Sequence, residues 1–423
     1  MRKMKDSGIE WIGEIPEGWE ITRLKYLADF EPACDTSYLT DESKITYTPM
    51  ECVKNGGFEN RSALYGNLSH TLTPFQNGDI AMAKVTPCFE NGNIAIMDNL
   101  FSGFGLGSSE LFIFRPKSIS TRYLFYWLQN KAFVARACST MTGTGGLKRI
   151  SPSFIRNCPV HCPSTDEQTK ISDYLDAKCS EIDDLLTSVR SSIEEYKKLK
   201  QAVITQAVTK GVRGEREIKE SKLPWASKIP KAWNICAIRH IMFECKERTK
   251  DGHEEQLSVT QQFGIIKSSD ASIANPSLSL DDWRIVAIGD IVFNKYKAHS
   301  GVFFVSPFSG IVTFNYSVYR CFPNCYAKYF EYQYKTHGCI SEFRTRMHGV
   351  GNSISPLYTK DLMKIKVVCP PLDEQKEIAN YLDAKCAEID KLIAKKEQLV
   401  KELENYKKSL IFEYVTGKKE LRR

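Results

Sequence analysis

The strongest constraint on the fold is a long segment that the chain contains twice. Residues 166–210 align with residues 373–417 without a gap and are identical at 19 of 45 positions. The similarity is greatest where YLDAKCSEID at Tyr174–Asp183 returns as YLDAKCAEID at Tyr381–Asp390. A duplication of this length predicts two copies of one structural unit.

A weaker repeat precedes each long segment. Residues 5–27 and 219–241 share seven identities in 23 positions, among them two tryptophans and an Ile-Pro pair. The chain is therefore organised as A–B–A′–B′, and 423 residues suffice for two domains. The predicted segments are a first globular domain at 1–163, a central helical spacer at 164–211, a second globular domain at 212–370 and a C-terminal helical spacer at 371–423.

Both B segments carry the pattern of a coiled-coil helix. Apolar residues recur in alternating steps of four and three, a spacing that places them along one seam. The predicted core of the helix pair is Leu175, Cys179, Ile182, Leu186, Val189, Ile193, Leu382, Cys386, Ile389, Ile393, Val400 and Leu403. Asp176 and Lys178 lie off this seam, so we expect them to face solvent or a partner helix.

The ends of both helices are also marked in the sequence. Each helix follows a proline, Pro163 or Pro371, and ends near a glycine, Gly211 or Gly417. Acidic residues of the first turn, such as Glu374, are expected to cap the helix and complement its dipole. About 45 residues at a 1.5 Å rise give a rod of roughly 65 Å. We expect B to pack antiparallel against B′, with the A domains at opposite ends.

The A segments mix short apolar runs with aromatic amphipathic stretches. They predict strands at Asp79–Ala83, Leu111–Phe114, Asp290–Phe293 and Gly301–Val305, and helices at Thr121–Lys131 and Ala327–Thr336. The expected fold class is α+β, with two globular domains joined by two long antiparallel coiled-coil helices and an internal pseudo-twofold repeat.

Charge and composition narrow the function. The net charge is +7, and its excess lies in residues 212–370, where 22 basic residues face 15 acidic ones; this favours a polyanionic partner. No run of about 18 apolar residues occurs, and the N-terminus lacks the apolar core of a signal peptide, so we expect a cytoplasmic protein. The 14 cysteines include no CxxC motif and are expected to be reduced thiols without a metal.

No motif for catalysis stands out. Phe101–Gly105 has the spacing of a nucleotide-cofactor loop, but it leads into an apolar strand instead of opening a helix. Gly143–Gly146 lacks the Lys-Ser/Thr of a phosphate-binding loop, and the Asp/Asn-Pro-Pro-aromatic tetrapeptide of amino methyltransferases does not occur. Catalysis by this chain alone is therefore not expected.

The order of these features resembles that of the specificity (S) subunits of type I restriction-modification systems. In that family, two globular domains are each followed by a long helix that opens Asp-Glu-Gln and continues Ile-x-x-Tyr-Leu-Asp. The likeness covers nearly the whole chain and includes Ile15–Trp19, Gly78–Ile80, Gly289–Ile291, Pro370–Gln375 and Val415–Gly417. The chain departs from the pattern at Pro163–Asp166, which reads Pro-Ser-Thr-Asp, and at Ile229–Trp233, which lacks the glycine of its N-terminal counterpart.

The resemblance implies a function in DNA recognition. Each globular domain would be a target recognition domain that reads one half of a bipartite site in double-stranded DNA. The helices would separate the domains and bind two modification (methyltransferase) subunits, with restriction (translocase/nuclease) subunits as further possible partners. S-adenosylmethionine, ATP and Mg would belong to those partners, and this non-catalytic chain would bind no cofactor.

Candidate DNA contacts come from residue chemistry. Base edges are usually read by Arg, Lys, Asn, Gln and Ser on projecting loops, while phosphate contacts position the protein. The candidates are Lys84, Asn91, Asn93, Thr142, Thr144, Lys148, Arg149, Lys295, Lys297, Arg344, Arg346, His348, Asn352 and Ser353.

Two alternative functions remain open from the sequence. One is a stand-alone nuclease or methyltransferase, for which the motifs above give no support. The other is a coiled-coil scaffold for protein interaction without DNA binding. A scaffold explains the helical seams, but not why they alternate with two elaborate and divergent globular domains.

Overall fold

A computed structural model of the chain describes residues 2–54, 56–69, 71–144, 146–250, 252–261, 263–271, 280, 282–347 and 356–421. The chain divides into two compact units. The first comprises Met1–Arg190 and Gln398–Arg423, and the second comprises Ser191–Glu397. Each unit therefore contains one globular domain together with a part of both long helices.

The first unit is built mainly from short strands. Its strands are β1 (Met4–Asp6), β2 (Glu14–Pro16), β3 (Glu20–Arg23), β4 (Ala28–Phe30), β5 (Lys44–Thr48), β6 (Val53–Lys54), β7 (Gly57–Phe58), β8 (Arg61–Leu64), β9 (Thr73–Gln76), β10 (Asp79–Ala83), β11 (Ile94–Met97), β12 (Phe104–Gly107), β13 (Leu111–Pro116) and β14 (Pro159–Cys162). Its helices are α1 (Leu24–Leu27), α2 (Thr121–Gln129), α3 (Lys131–Ser139), α4 (Pro152–Asn157) and the first part of α5 (Thr165–Lys210).

Two four-stranded sheets organise this unit. One has the order β11-β10-β13-β4 with antiparallel pairs throughout, and the other has the order β8-β5-β12-β9. Strand β10 is buried over its whole length, since one face packs on Phe112 and Tyr123 and the other on Phe75 and Ile113. Phe101–Gly105 forms a 3₁₀ turn and then enters β12, so it does not open an α-helix. The strand predicted at Leu111–Phe114 is β13, which follows β12.

The second unit repeats the core sheet of the first. Its strands are β15 (Ile218–Glu220), β16 (Lys228–Pro230), β17 (Asn234–Ala237), β18 (Met242–Cys245), β19 (Leu257–Thr260), β20 (Gly264–Lys267), β21 (Arg284–Val286), β22 (Ile291–Asn294), β23 (Phe303–Val305), β24 (Gly310–Val312), β25 (Tyr316–Cys321) and β26 (Lys366–Cys369). Its helices are α6 (Ala327–Tyr334), α7 (His337–Arg346), α8 (Thr359–Leu362) and the first part of α9 (Leu372–Val415). The sheet order β23-β22-β25-β18 matches β11-β10-β13-β4 of the first unit.

The predicted elements agree with these bounds. The expected strands coincide with or overlap β10, β13, β22 and β23, and the expected helices overlap α2 and α6. Asn130 ends α2 and caps the next helix, because its backbone is extended and its side-chain oxygen accepts the Phe133 N–H at 2.9 Å. The α+β fold class with two long antiparallel helices is confirmed.

The two long helices run antiparallel within each unit. In the first unit the Tyr174 and Tyr414 rings lie 4.5 Å apart, and Lys407 pairs with Asp183 at 2.7 Å. In the second, Lys200 pairs with Asp390 at 2.6 Å. The predicted seam residues Leu175, Cys179, Ile182, Leu186, Ile193, Leu382, Cys386 and Ile389 are buried, and Val189, Ile393, Val400 and Leu403 are half-buried.

The Asp-Glu-Gln motif joins each helix to its own globular domain. The Gln168 side chain accepts the Ser120 N–H at 2.8 Å and donates to the Pro163 carbonyl at 3.0 Å. The Gln375 side chain makes the equivalent bonds to Tyr326 and Pro370, at 2.7 and 2.8 Å. The motif therefore fixes the angle at which the helix leaves the domain.

The glutamate of this motif does more than cap the helix. Glu374 accepts the Trp233 indole N–H at 3.0 Å and pairs with Arg216 at 2.6 Å. Glu167 accepts the Trp19 indole N–H at 3.0 Å and pairs with Arg2. These carboxylates lie in the first turn of their helices, as predicted, and each one also binds the N-terminal segment of its domain.

Asp176 and Lys178 lie off the seam with side chains that are each 42% exposed, as expected, and each also has a partner within its unit. Asp176 accepts a hydrogen bond from the Tyr126 hydroxyl at 2.7 Å, which ties α5 to α2. Lys178 pairs with Glu181 on its own helix at 2.7 Å. Tyr332 donates to Asp383 at 2.6 Å in the second unit, so the Tyr-Leu-Asp motif serves domain attachment in both copies.

Helices long and apolar enough to cross a membrane do not occur among the residues that the structure describes.

Candidate nucleic-acid interface

In the first unit, the structure brings the candidate DNA-binding residues onto one surface. Lys84 follows directly after β10, and its carbonyl accepts the Ile150 N–H at 3.0 Å. Its neighbour Val85 forms a backbone bridge with Arg149. The loop after β10 and the loop that ends at Arg149 are therefore adjacent, although more than 50 residues separate them in the sequence.

Asn91 and Asn93 lie close to Lys84 through a backbone hydrogen bond of the neighbouring residue Ala83. They belong to the turn between β10 and β11, where the Asn93 carbonyl accepts the Ala83 N–H at 2.9 Å. The Asn91 side chain is exposed and that of Asn93 is half-buried.

The loop that carries Thr142, Thr144 and Lys148 is held at its base. Thr142 and Arg149 exchange backbone hydrogen bonds of 3.1 and 2.8 Å. The buried Thr86 hydroxyl donates to the Gly146 carbonyl at 2.8 Å and accepts the Lys148 N–H at 2.9 Å. Thr142, Thr144 and Lys148 are exposed, so a fixed backbone presents their side chains to solvent.

Arg149 is already bound within the domain. Its guanidinium makes two bonds to the Glu110 carboxylate, of 3.0 and 2.6 Å. The hydrogen bond from Arg149 holds the pKa of Glu110 below its usual value. Lys84 lies 5.3 Å from the centre of the Phe112 ring instead of on a carboxylate.

In the second unit, the candidates gather beside the end of β22. Lys295 and Lys297 lie in a 3₁₀ segment, Lys295–Ser300, whose first turn is capped by the Asn294 side chain. Arg344 and Arg346 lie at the end of α7, and Arg344 donates to the His299 carbonyl at 3.4 Å. Helix α7 therefore brings its arginines next to the 3₁₀ segment. The candidates His348, Asn352 and Ser353 lie outside the described residues.

Glu244 and its partners were missed by sequence reasoning. The Glu244 carboxylate accepts hydrogen bonds from Arg284 at 2.8 Å, Thr359 at 3.1 Å and Ser317 at 3.4 Å. Burial and the neighbouring Arg284 lower the pKa of Lys295. A single glutamate in an otherwise apolar strand gives no sequence signal for such a network.

The same place in the first unit is aromatic. The pairing of Glu244 with Tyr319 between β18 and β25 corresponds to that of Phe30 with Phe114 between β4 and β13. The Phe30 and Phe114 rings lie 5.6 Å apart. The two domains thus have the same sheet order but differ in the side chains beneath their candidate surfaces.

The helices carry a second kind of candidate site. Large apolar side chains are exposed at Leu185 and Tyr406 in the first unit and at Leu199 and Leu392 in the second. Leu185 and Leu392 occupy equivalent positions of the repeat, as do Leu199 and Tyr406. Exposed apolar residues that recur in both copies mark a candidate protein-docking surface in each unit.

Metal-binding geometry is absent from the described part of the chain: no three His, Cys, Asp or Glu side chains are grouped to hold an ion. The fold and these surfaces define a duplicated protein with two related globular domains, each bearing a candidate interface beside the end of its central strand.

Comparison with known proteins assigns the family. A sequence profile described as "Type I restriction modification DNA specificity domain" matches residues 16–195 and 261–404, and the chain belongs to this family of specificity subunits. The chain is 34% identical over 196 residues to the type I restriction enzyme EcoAI specificity subunit of Escherichia coli, a match that covers 45% of this chain and 33% of that protein. It thus spans about a third of that relative's length.

Other similarities extend over almost the full chain. The putative MjaX specificity subunit of Methanocaldococcus jannaschii is 25% identical over 438 residues, which covers 96% of this chain and 95% of that protein. A solved structure concerned with assembly and conformational transition of the type I R-M system has a TM-score of 0.69 at 14% identity. That match covers 95% of this chain and 99% of the other, and it shows the fold alone.

Proposed function

We propose that this chain is the sequence-reading, non-catalytic subunit of a type I restriction-modification complex. Each globular domain reads one half of a bipartite site in double-stranded DNA. The observation that carries the proposal is the duplicated candidate interface, in which basic and polar loops gather beside the ends of β10 and β22 in two domains of the same sheet order.

The partners follow from the family and from the helices. The exposed apolar residues Leu185, Leu199, Leu392 and Tyr406 would dock two modification subunits, which bind S-adenosylmethionine and methylate adenine. Restriction subunits, where present, would supply ATP- and Mg-dependent translocation and cleavage. No cofactor is assigned to this chain.

The proposal is tested by co-expressing the chain with its modification subunits and sequencing methylated adenines in the genome. We expect one motif with two defined halves and an unspecified gap. Replacing residues 24–158 with those of another specificity subunit should change one half and leave the other intact. A contiguous motif, or a change in both halves, would contradict the assignment of one domain to each half-site.

A further inference from the structure

We propose that Lys84 and Lys295 are a matched pair of phosphate anchors, one in each globular domain, that bind the DNA backbone at the two half-sites. The inference rests on the proposed DNA-reading function and adds the chemistry of one contact in each domain.

The two lysines occupy equivalent places in the two sheets. Each lies five residues after a buried aspartate, Asp79 or Asp290, whose carboxylate is bound by an arginine of the neighbouring strand. Each main-chain carbonyl accepts an N–H from a residue that lies more than 60 positions later in the chain. That residue is Ile150 for Lys84, at 3.0 Å, and Leu357 for Lys295, at 2.9 Å.

Neither ammonium group has a carboxylate partner of its own among the residues that the structure describes. Both side chains are half-buried. The Lys84 ammonium lies over the Phe112 ring, and its neighbour Glu110 is engaged by Arg149. Near Lys295, the carboxylate of Glu244 is engaged by Arg284 at 2.8 Å. In both domains, therefore, a neighbouring arginine pairs with the carboxylate beside the lysine, although the residues that do so differ.

A cation in this position is unfavourable without an anion. At Lys295, partial burial removes water from the ammonium, and the nearby Arg284 guanidinium opposes its charge further. The lowered pKa of Lys295, which burial and Arg284 cause, reflects that cost. An external anion that contacts each lysine would offset it.

The chemistry of the side chain favours a phosphate over a base edge. An ammonium is a compact point charge that suits a phosphate oxygen, whereas discrimination between bases needs donors and acceptors in fixed geometry. The exposed amide of Asn91 and hydroxyls of Thr142 and Thr144 are the groups suited to base edges in the first domain. The lysines would set the depth and register at which those groups approach the duplex.

The test uses K84Q, K295Q and the double variant in complex with the modification subunits. The matched controls are K117Q and K364Q, which remove the same charge from lysines that pair with Asp29 at 2.5 Å and with Asp361 at 3.6 Å. Binding is measured between 50 and 200 mM KCl on two fluorescent duplexes of equal length. One carries the motif found by methylated-adenine sequencing, and the other carries it scrambled.

We expect K84Q and K295Q to weaken binding by the same factor on both duplexes. One phosphate contact contributes about 0.9 to the slope of log affinity against log salt, so the wild type should lose about 3.5-fold more affinity over this range than either single variant. The double variant should differ by about 12-fold, and the controls should match the wild type. K84R and K295R keep the charge and should retain binding, which separates loss of charge from misfolding.

Two results would overturn the inference. A loss confined to the duplex with the motif, at an unchanged salt slope, would assign the lysines to base reading. A loss no larger than that of the controls would leave them without a DNA contact. If the wild-type complex itself does not prefer the motif, the proposed function fails, and the lysine comparison is still measurable on both duplexes.

Discussion

His161 is a side chain at which two otherwise repeated environments differ. It is fully buried in β14, where its Nε2 bonds the Val415 carbonyl at the end of α9, and its ring stacks on Trp19 at 5.6 Å. The Tyr123 hydroxyl donates to the same carbonyl at 3.0 Å. In the second unit the equivalent residue is Val368, and the Tyr329 hydroxyl donates to the corresponding Val208 carbonyl at 3.0 Å.

This histidine makes stability depend on pH. Burial lowers the pKa of His161 from 6.5 to about 4, so the unfolded chain binds more protons than the folded chain between these values. Stability therefore falls as pH drops from about 6.5 to 4, by about 3 kcal/mol in total. Urea denaturation across this range should show that loss. The H161V variant, which has the valine found at the equivalent position of the second unit, should lose much less stability over this pH range. If H161V loses as much stability as the wild type, His161 is not the cause of the pH dependence.

The limits of sequence reasoning are also clearest at single residues. The seam residues and helix ends are local patterns, so the sequence predicts them well. By contrast, Glu244 and Arg284 are 40 residues apart, and Trp233 and Glu374 are 141 apart. Neither pair has a spacing that a sequence pattern could reveal. The loops that carry the candidates Lys84 and Arg149 are brought together by an isolated bridge between Val85 and Arg149, which the sequence does not indicate either.

At the scale of elements, the polar interruptions of the helical seam have partners. Lys200 and Lys407 occupy seam positions that the apolar pattern leaves unexplained, and they pair with Asp390 and Asp183 across the helix pair. The four residues form two equivalent pairs of the repeat. Such exposed pairs contribute little energy but penalise other alignments of the two helices, so they help to set the register.

Two leucines of α9 allow a matched test of the seam. Leu382 is fully buried in the core of the second unit, whereas Leu392, ten residues later, is 37% exposed. L382A leaves a cavity and should lower the free energy of unfolding by about 2–5 kcal/mol. L392A should change it by less than about 0.5 kcal/mol. Urea denaturation followed by circular dichroism measures both, and equal losses would contradict the predicted seam.

At the scale of the whole molecule, the two units share both long helices. The first unit contains α5 up to Arg190 and α9 from Gln398, and the second contains the remaining part of each. Each long helix therefore continues from one unit into the other. A change in the length of either helix changes the segment that connects the two units. The domain attachments, by contrast, are internal to each unit, through Gln168 in one and Gln375 in the other.

Together with the proposed function, this arrangement leads us to expect that the helices set the spacing of the two half-sites. Inserting four residues after Ser188 lengthens α5 by about 6 Å, and four is one of the steps by which the seam advances, so the apolar face is preserved. Sequencing of methylated adenines should show both half-sites unchanged and a changed gap between them. The change should be at most about two base pairs, because each base pair takes up about 3.4 Å of the duplex. The control is the same insertion after Gly214, between α5 and β15, which leaves the helices untouched and should leave the gap unchanged. An unaltered gap in the Ser188 variant would show that the helices do not set the spacing.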